Sequence, residues 1–211
     1  MFTKYSSSRG WLSLVKFWRR EDKELVGSLP IGGGAVVDMM TSGLKHLQEK
    51  DFHDVRSKLI STYQKLPEAD VVIITLGYTE AWFDREHKIH INNSPGSKKS
   101  IIAKGERYEF DDLDAFETVE YVQQIVDEIQ NNSLKDVKII VTVSPVPLHR
   151  TWGEKDVVTA NLVSKSKLIA AANYVSGKYE HVDYFPSYEM VMYGDPSKTW
   201  MPDGVHVKNE K

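Results

Sequence analysis

Asp203-Gly204-Val205-His206 sets a carboxylate three residues ahead of an imidazole. At that spacing the carboxylate can hold one ring nitrogen, fix the tautomer and leave the other nitrogen free as a general base. The pattern is short and arises often by chance, and its position after the last predicted strand, near Trp200, adds weight. A second group stands at Gly77-Tyr78-Thr79-Glu80-Ala81-Trp82, where a hydroxyl, a carboxylate and an indole follow a glycine. Ligands of open α/β sheets sit outside the carboxyl ends of the strands, so a strand ending at Leu76 puts these groups where chemistry is expected. An ordinary strand end with a glycine turn explains the same residues equally well. Ser28, after Gly27, is a serine on a turn and a weak nucleophile signal. Asp84, His87 and His90 are metal-ligand types, but steps of three in an irregular segment do not converge on one ion without further ligands. Surface histidines are the plainer reading, and neither a metal nor a cofactor is expected.

The elements that must position these groups are legible in part. Val71-Val72-Ile73-Ile74-Thr75-Leu76 is a continuous apolar run, the form of a parallel strand buried on both faces. A second run covers residues 137–143 and exits at Ser144-Pro145-Val146-Pro147, whose prolines stop the strand and stiffen the loop. A third, at 181–185, leads into Pro186-Ser187-Tyr188-Glu189. Helical spacing links Val36, Val37, Met40, Leu44 and Leu47, and then Val55, Leu59, Ile60, Tyr63 and Leu66. It returns strongly from Leu113 to Ile129 and again from Leu162 to Val175. Alternating helices and strands imply right-handed crossovers and an α/β fold, a three-layer α/β/α sandwich with a mostly parallel sheet. Residues 83–110 read as an irregular excursion holding a short hairpin. Residues 1–34 form a poorly defined N-terminal segment and 35–211 the α/β domain. Gly32-Gly33-Gly34 is a flexible break and not a phosphate loop, since no Gly-Lys-Ser/Thr follows it. With the three strands parallel and adjacent, Gly77, Thr79, Ser144 and His206 should line one cleft.

Composition narrows the function classes. A net charge of −3 argues against general nucleic-acid binding. No apolar run reaches membrane-spanning length, and no signal-peptide layout opens the chain. Zero cysteines exclude a thiol nucleophile, disulfides and thiolate metal sites, a usage compatible with the cytoplasm.

Four stretches together carry a resemblance: residues 75–82, Thr142-Val143-Ser144-Pro145-Val146-Pro147-Leu148, Ser164-Lys165-Ser166-Lys167-Leu168, and Asp183-Tyr184-Phe185-Pro186-Ser187-Tyr188-Glu189. In order and spacing they resemble the GSCFA family over roughly residues 50–208, a family similar to the SGNH/GDSL hydrolases. The resemblance implies ester hydrolysis or acyl transfer on a small-molecule or saccharide ester, such as that of a carbohydrate or another cell-surface precursor. It implies His206 as base, Asp203 as its orienting partner, and the Gly77 amide with the Thr79 hydroxyl as oxyanion donors where those enzymes usually carry Gly-x-Asn. Glu80 and Asn161 would contact substrate or hold loops. Ser144 reads more readily as a partner of the proline-rich turn than as a nucleophile. The Gly-Ser-Cys-Phe-Ala motif that names the family, and would supply its serine, is not in this chain. The chain therefore reads as the C-terminal two-thirds of a family member, incomplete at both ends. Two functions follow: a hydrolase-like domain whose nucleophile comes from elsewhere, or a non-catalytic binding module or split-enzyme piece that needs a complementing chain.

Overall fold

The computed structural model describes residues 8–41, 46–95, 106–203 and 207–208, with side chains from Leu12 onward. In chain order the elements are α1 (Ser8–Phe17), β1 (Ser28–Gly32), β2 (Ala35–Asp38), β3 (Leu47–Gln48), α2 (Glu49–Tyr63), a 3-10 turn (Leu66–Glu68) and β4 (Val71–Leu76). Then come β5 (Glu80–Asp84), β6 (Ile89–Ile91), β7 (Tyr108–Asp112), α3 (Ala115–Asn132) and β8 (Lys138–Val143). The chain continues through α4 (Val157–Lys178), β9 (Val182–Phe185), α5 (Ser187–Met192) and α6 (Pro196–Thr199). No helix among the described residues is long and apolar enough to cross a membrane.

The fold is α/β, with the expected strands in a parallel sheet of order β4-β8-β9. Ile74 lies opposite Val141, and Val141 opposite Tyr184. Two antiparallel sheets, β1-β2-β3 and β6-β5-β7, complete the strand set. The main core joins Ile74 and Leu76 of β4 to Ile139, Val141 and Val143 of β8 under Val122, Ile125, Val126 and Ile129 of α3 and Leu168, Ala172 and Val175 of α4. A second core gathers Leu14, Phe17, Val26, Leu29, Val37, Met39 and Met40 with Leu59, Ile89, Ile91 and Tyr108. Helix α1 belongs to both, giving Leu12 and Val15 to the first and Leu14 and Phe17 to the second.

The layering departs from a clean three-layer sandwich. Side chains alternate across a strand, and α3 and α4 cover the face bearing Ile74, Leu76, Ile139 and Val141. On the opposite face Val71 is 53% exposed, Ile73 42% and Phe185 50%. Among the described residues β4 pairs only with β8, so it forms an edge.

One local expectation is corrected. Val36 and Val37 were expected on a helix with Met40, Leu44 and Leu47, yet they form β2, paired to β1 and β3. Adjacent β-branched residues favour a strand, and Gly33 and Gly34, at φ of 61° and 71°, supply the left-handed turn that closes the β1–β2 hairpin. Leu44 of that set lies outside the described residues. Residue 35, where the domain was expected to begin, opens β2 of this hairpin. Residues 11–18, without a clean period, fall largely in α1. The excursion at 83–110 holds the β5–β6 hairpin and the start of β7.

Candidate functional site

Strands β4 and β8 end side by side, with the Ser144 amide donating to Leu76 O at 2.9 Å. The turn after β4 and the loop after β8 therefore leave the sheet together. Ser144 is 8% exposed, and its hydroxyl accepts the Val146 amide at 3.3 Å inside the proline-rich loop. Asn161, on α4, holds that loop through Oδ1, which takes the Leu148 amide at 2.9 Å. The Tyr78 hydroxyl donates to Pro147 O at 3.3 Å, tying one exit to the other.

Helix α4 clamps the turn at both ends. It is capped by the Asp156 carboxylate, which accepts the Val158 and Thr159 amides. Its first turns bury Ala160, Ser164 and Lys165, the last two being residues to which sequence reasoning assigned no role. Ser164 Oγ accepts the Thr79 amide at 2.9 Å, and Lys165 Nζ donates to Gly77 O at 2.8 Å. Nζ also lies 4.9 Å from the Tyr78 ring centroid. Lys165 is 1% exposed, and among the described residues no carboxylate pairs with it. Burial pushes its ammonium down to about 7. The one available signal was the adjacent Ser164-Lys165 pair in a helix whose spacing turned that side inward.

Thr79 is fully engaged. Its hydroxyl donates to Asp112 Oδ1 at 2.6 Å, its amide to Ser164, and its carbonyl accepts the Leu113 amide at 3.3 Å. Glu80 starts β5 opposite Asp112 and accepts the Thr151 hydroxyl. Burial, aided by the Asp112 charge, raises its carboxyl above the ordinary range despite the Thr151 bond. The β8 exit loop then leans on β5, with Trp152 5.6 Å from Trp82, which is itself 5.3 Å from Phe110.

Gly77, Thr79, Glu80, Ser144 and Asn161 are thus brought to one end of the sheet. Ser28 sits at the opposite end of β5: Arg107 Nη2 donates to both Ser28 O and Asp84. Four residue steps along β5 separate Asp84 from Glu80, about 13 Å at the usual rise. There His87 Nδ1 lies 2.9 Å from Asp84 Oδ2 and 3.2 Å from the Gly27 amide nitrogen. Burial acts to raise the Asp84 carboxyl, but the Arg107 and His87 hydrogen bonds outweigh it and hold the group below its usual range. Among the described residues no cluster of His, Asp and Glu could hold a metal, and the His90 ring packs 5.0 Å from Phe83. Asp203 is exposed, within a segment whose flanks Trp200 and Val207 form an antiparallel bridge. His206 lies outside the described residues.

No curated protein and no solved structure matches the chain. The model of the GSCFA family matches residues 16–211.

Proposed function

The chain belongs to the GSCFA family, and from that premise we propose that it is an SGNH-like esterase or acyltransferase domain acting on a small-molecule or saccharide ester. The observation that carries this reading is the paired exit of β4 and β8, where Leu76 O accepts the Ser144 amide and α4 clamps the 77–79 turn from beneath. Turns at the carboxyl ends of parallel strands are where α/β proteins build such sites. In this reading His206 is the general base and Asp203 orients it. The buried Lys165 cation polarises the Gly77 carbonyl and stiffens the turn that faces the substrate oxyanion. The nucleophilic serine is supplied by a segment outside these residues. Preorganised donors around an oxyanion are worth on the order of 3 kcal/mol each in rate, which explains the investment in a rigid turn.

A second reading, a binding module or one piece of a split enzyme, is favoured by the open face of β4-β8-β9. Val71, Ile73 and Phe185 are apolar and half exposed there, and the β4 edge is a template for another strand.

The test is labelling with a fluorophosphonate probe together with p-nitrophenyl acetate hydrolysis. The chain alone is expected to show little or no turnover, and a version joined to a Gly-Ser-Cys-Phe-Ala segment is expected to be labelled and to lose activity in His206→Ala. Strong labelling of the chain alone, lost in Ser28→Ala, would replace this assignment with Ser28 as nucleophile.

A further inference from the structure

Strand β5 carries one row of side chains from the second core out to the strand exits. Glu80, Trp82 and Asp84 share a face, because alternate residues of a strand point the same way. Asp84 is buried, whereas Trp82 and Glu80 each keep part of their surface open to solvent. Across the ladder Trp82 stands opposite Phe110 and Glu80 opposite Asp112, so an aromatic pair and an acidic pair adjoin on that face. The β8 exit loop adds a third ring. Trp152 lies 5.6 Å from Trp82 with the rings at 78°, and Trp82 lies 5.3 Å from Phe110. Trp82 packs against the second core, and Phe110 and Trp152, both partly open to solvent, continue the cluster.

Charges of both signs meet these rings. Glu80 accepts the hydroxyl of Thr151, the residue before Trp152, and Asp112 lies 3.4 Å from Lys167 Nζ. Asp112 keeps 34% of its side chain exposed and Lys167 15%. Arg150 Cζ stands 5.9 Å from the Trp152 ring centroid. The whole group borders the β4 exit, since Glu80 follows Thr79 directly and the Thr79 hydroxyl donates to Asp112.

We propose that Trp82, Trp152 and Glu80, flanked by Asp112, Lys167 and Arg150, form a subsite for a neutral saccharide, the sugar portion of the ester substrate. Half-open aromatic rings beside a few polar groups are the usual make-up of a small-molecule site. Indole rings offer apolar surface to the C–H side of a pyranose. The carboxylates accept hydroxyl protons, and the lysine and arginine donate to sugar oxygens. An acyl chain would use the rings and strip water from the carboxylates without replacing it. A cation would suit rings and carboxylates, but Lys167 and Arg150 already hold positive charge beside them. A phosphate would face two carboxylates and be repelled. Calling the sugar part of an ester rests on the esterase or acyltransferase reading, whereas sugar binding is measured without turnover.

The experiment follows the Trp82 and Trp152 indole N–H resonances of the 15N-labelled chain during titration with methyl β-glucopyranoside, N-acetylglucosamine, choline and inorganic phosphate. At least one sugar is expected to shift both resonances saturably, with no shift from choline or phosphate. Trp152→Ala, followed through Trp82, should weaken that sugar at least tenfold. Glu80→Gln keeps the side-chain shape and can still accept the Thr151 hydroxyl, so the fold is retained while the sugar weakens at least threefold. No response to either sugar, an equal response to choline or phosphate, or affinity unchanged in Trp152→Ala or in Glu80→Gln would each overturn the proposal. Absent fluorophosphonate labelling of the segment-joined protein with sugar binding intact would sink only the hydrolase reading.

Discussion

Two buried cations sit in two different cores. Arg56, with no exposed side-chain surface, gives Nε and Nη2 to both oxygens of Asp38 and Nη1 to Val26 O and Lys23 O. Its guanidinium also lies between the Phe17 and Phe52 rings, at 5.2 and 4.9 Å. Lys165, almost as buried, has one carbonyl and one aromatic face. A neutralised, hydrogen-bonded ion pair is the form in which a core tolerates charge, and a lone ammonium is not. The first arrangement joins β2 to α2. The second costs stability and stands under the turn where two strand exits meet, so the comparison separates a charge neutralised by an ion pair from one held by a turn carbonyl and an aromatic face.

The largest effect should come from breaking the satisfied pair. Burial already pushes the Asp38 carboxyl up against the pull of Arg56, and Arg56→Met would leave that carboxylate with only the backbone amides of Met40 and Thr41 among its present donors. Removing one member of a buried pair typically costs about 3–5 kcal/mol. Urea unfolding should show a loss of that size, and Arg56→Met combined with Asp38→Leu should recover much of it. A loss below about 1 kcal/mol in the single variant would mean the pair is no anchor.

Lys165→Met should act in the opposite direction, by a smaller amount and with a pH signature. The folded value of about 7 lies below the ordinary 10.5. Between those values the unfolded chain holds more protons, so wild-type stability should rise as pH increases across the window. Below about 7 both states carry the proton and the full cost of the buried charge is present. Lys165→Met lacks this group, so its advantage should be greatest near pH 6 and fade toward pH 10. Losing the Gly77 hydrogen bond offsets part of the gain, leaving a net of roughly 1–2 kcal/mol. Equal pH slopes for the two proteins would show that the amine is not strained.

What was legible in sequence divides along the same line. The β-branched runs at 71–76 and 138–143 announce strands because few other elements accommodate four adjacent stiff side chains, and the exit rule then points to Gly77 and Ser144. Val36, Val37 and Met40 satisfy a helical template too, and only pairing with β1 across the glycine turn decides against it. Arg56 lies within a helical stretch of alternating charge, and nothing local distinguishes it from a solvated residue until Asp38, eighteen positions earlier, comes opposite. Lys165 was hidden for the same reason. Its meaning is burial without a carboxylate among the described residues, a property of the assembled molecule.

The smallest effect sharpens the comparison most. Ser164 Oγ accepts the Thr79 amide inside the protein, and Lys165 holds Gly77 O one turn-width away. Ser164→Ala removes the acceptor and leaves a buried N–H unpaired, a change worth about 1 kcal/mol and at most a few. The Asp112 and Leu113 bonds to Thr79 remain, so the turn should loosen without unfolding. Amide hydrogen exchange should therefore quicken at Thr79 and Tyr78 while the amides of α2 around Arg56 keep their protection. If the turn is the rigid face of a catalytic site, the same variant should lower hydrolysis in the segment-joined protein several-fold with little change in KM, since donor geometry is felt mainly in the transition state. Unchanged exchange at Thr79 would show that α4 does not clamp the turn, and the cation beneath it would lose its assigned purpose.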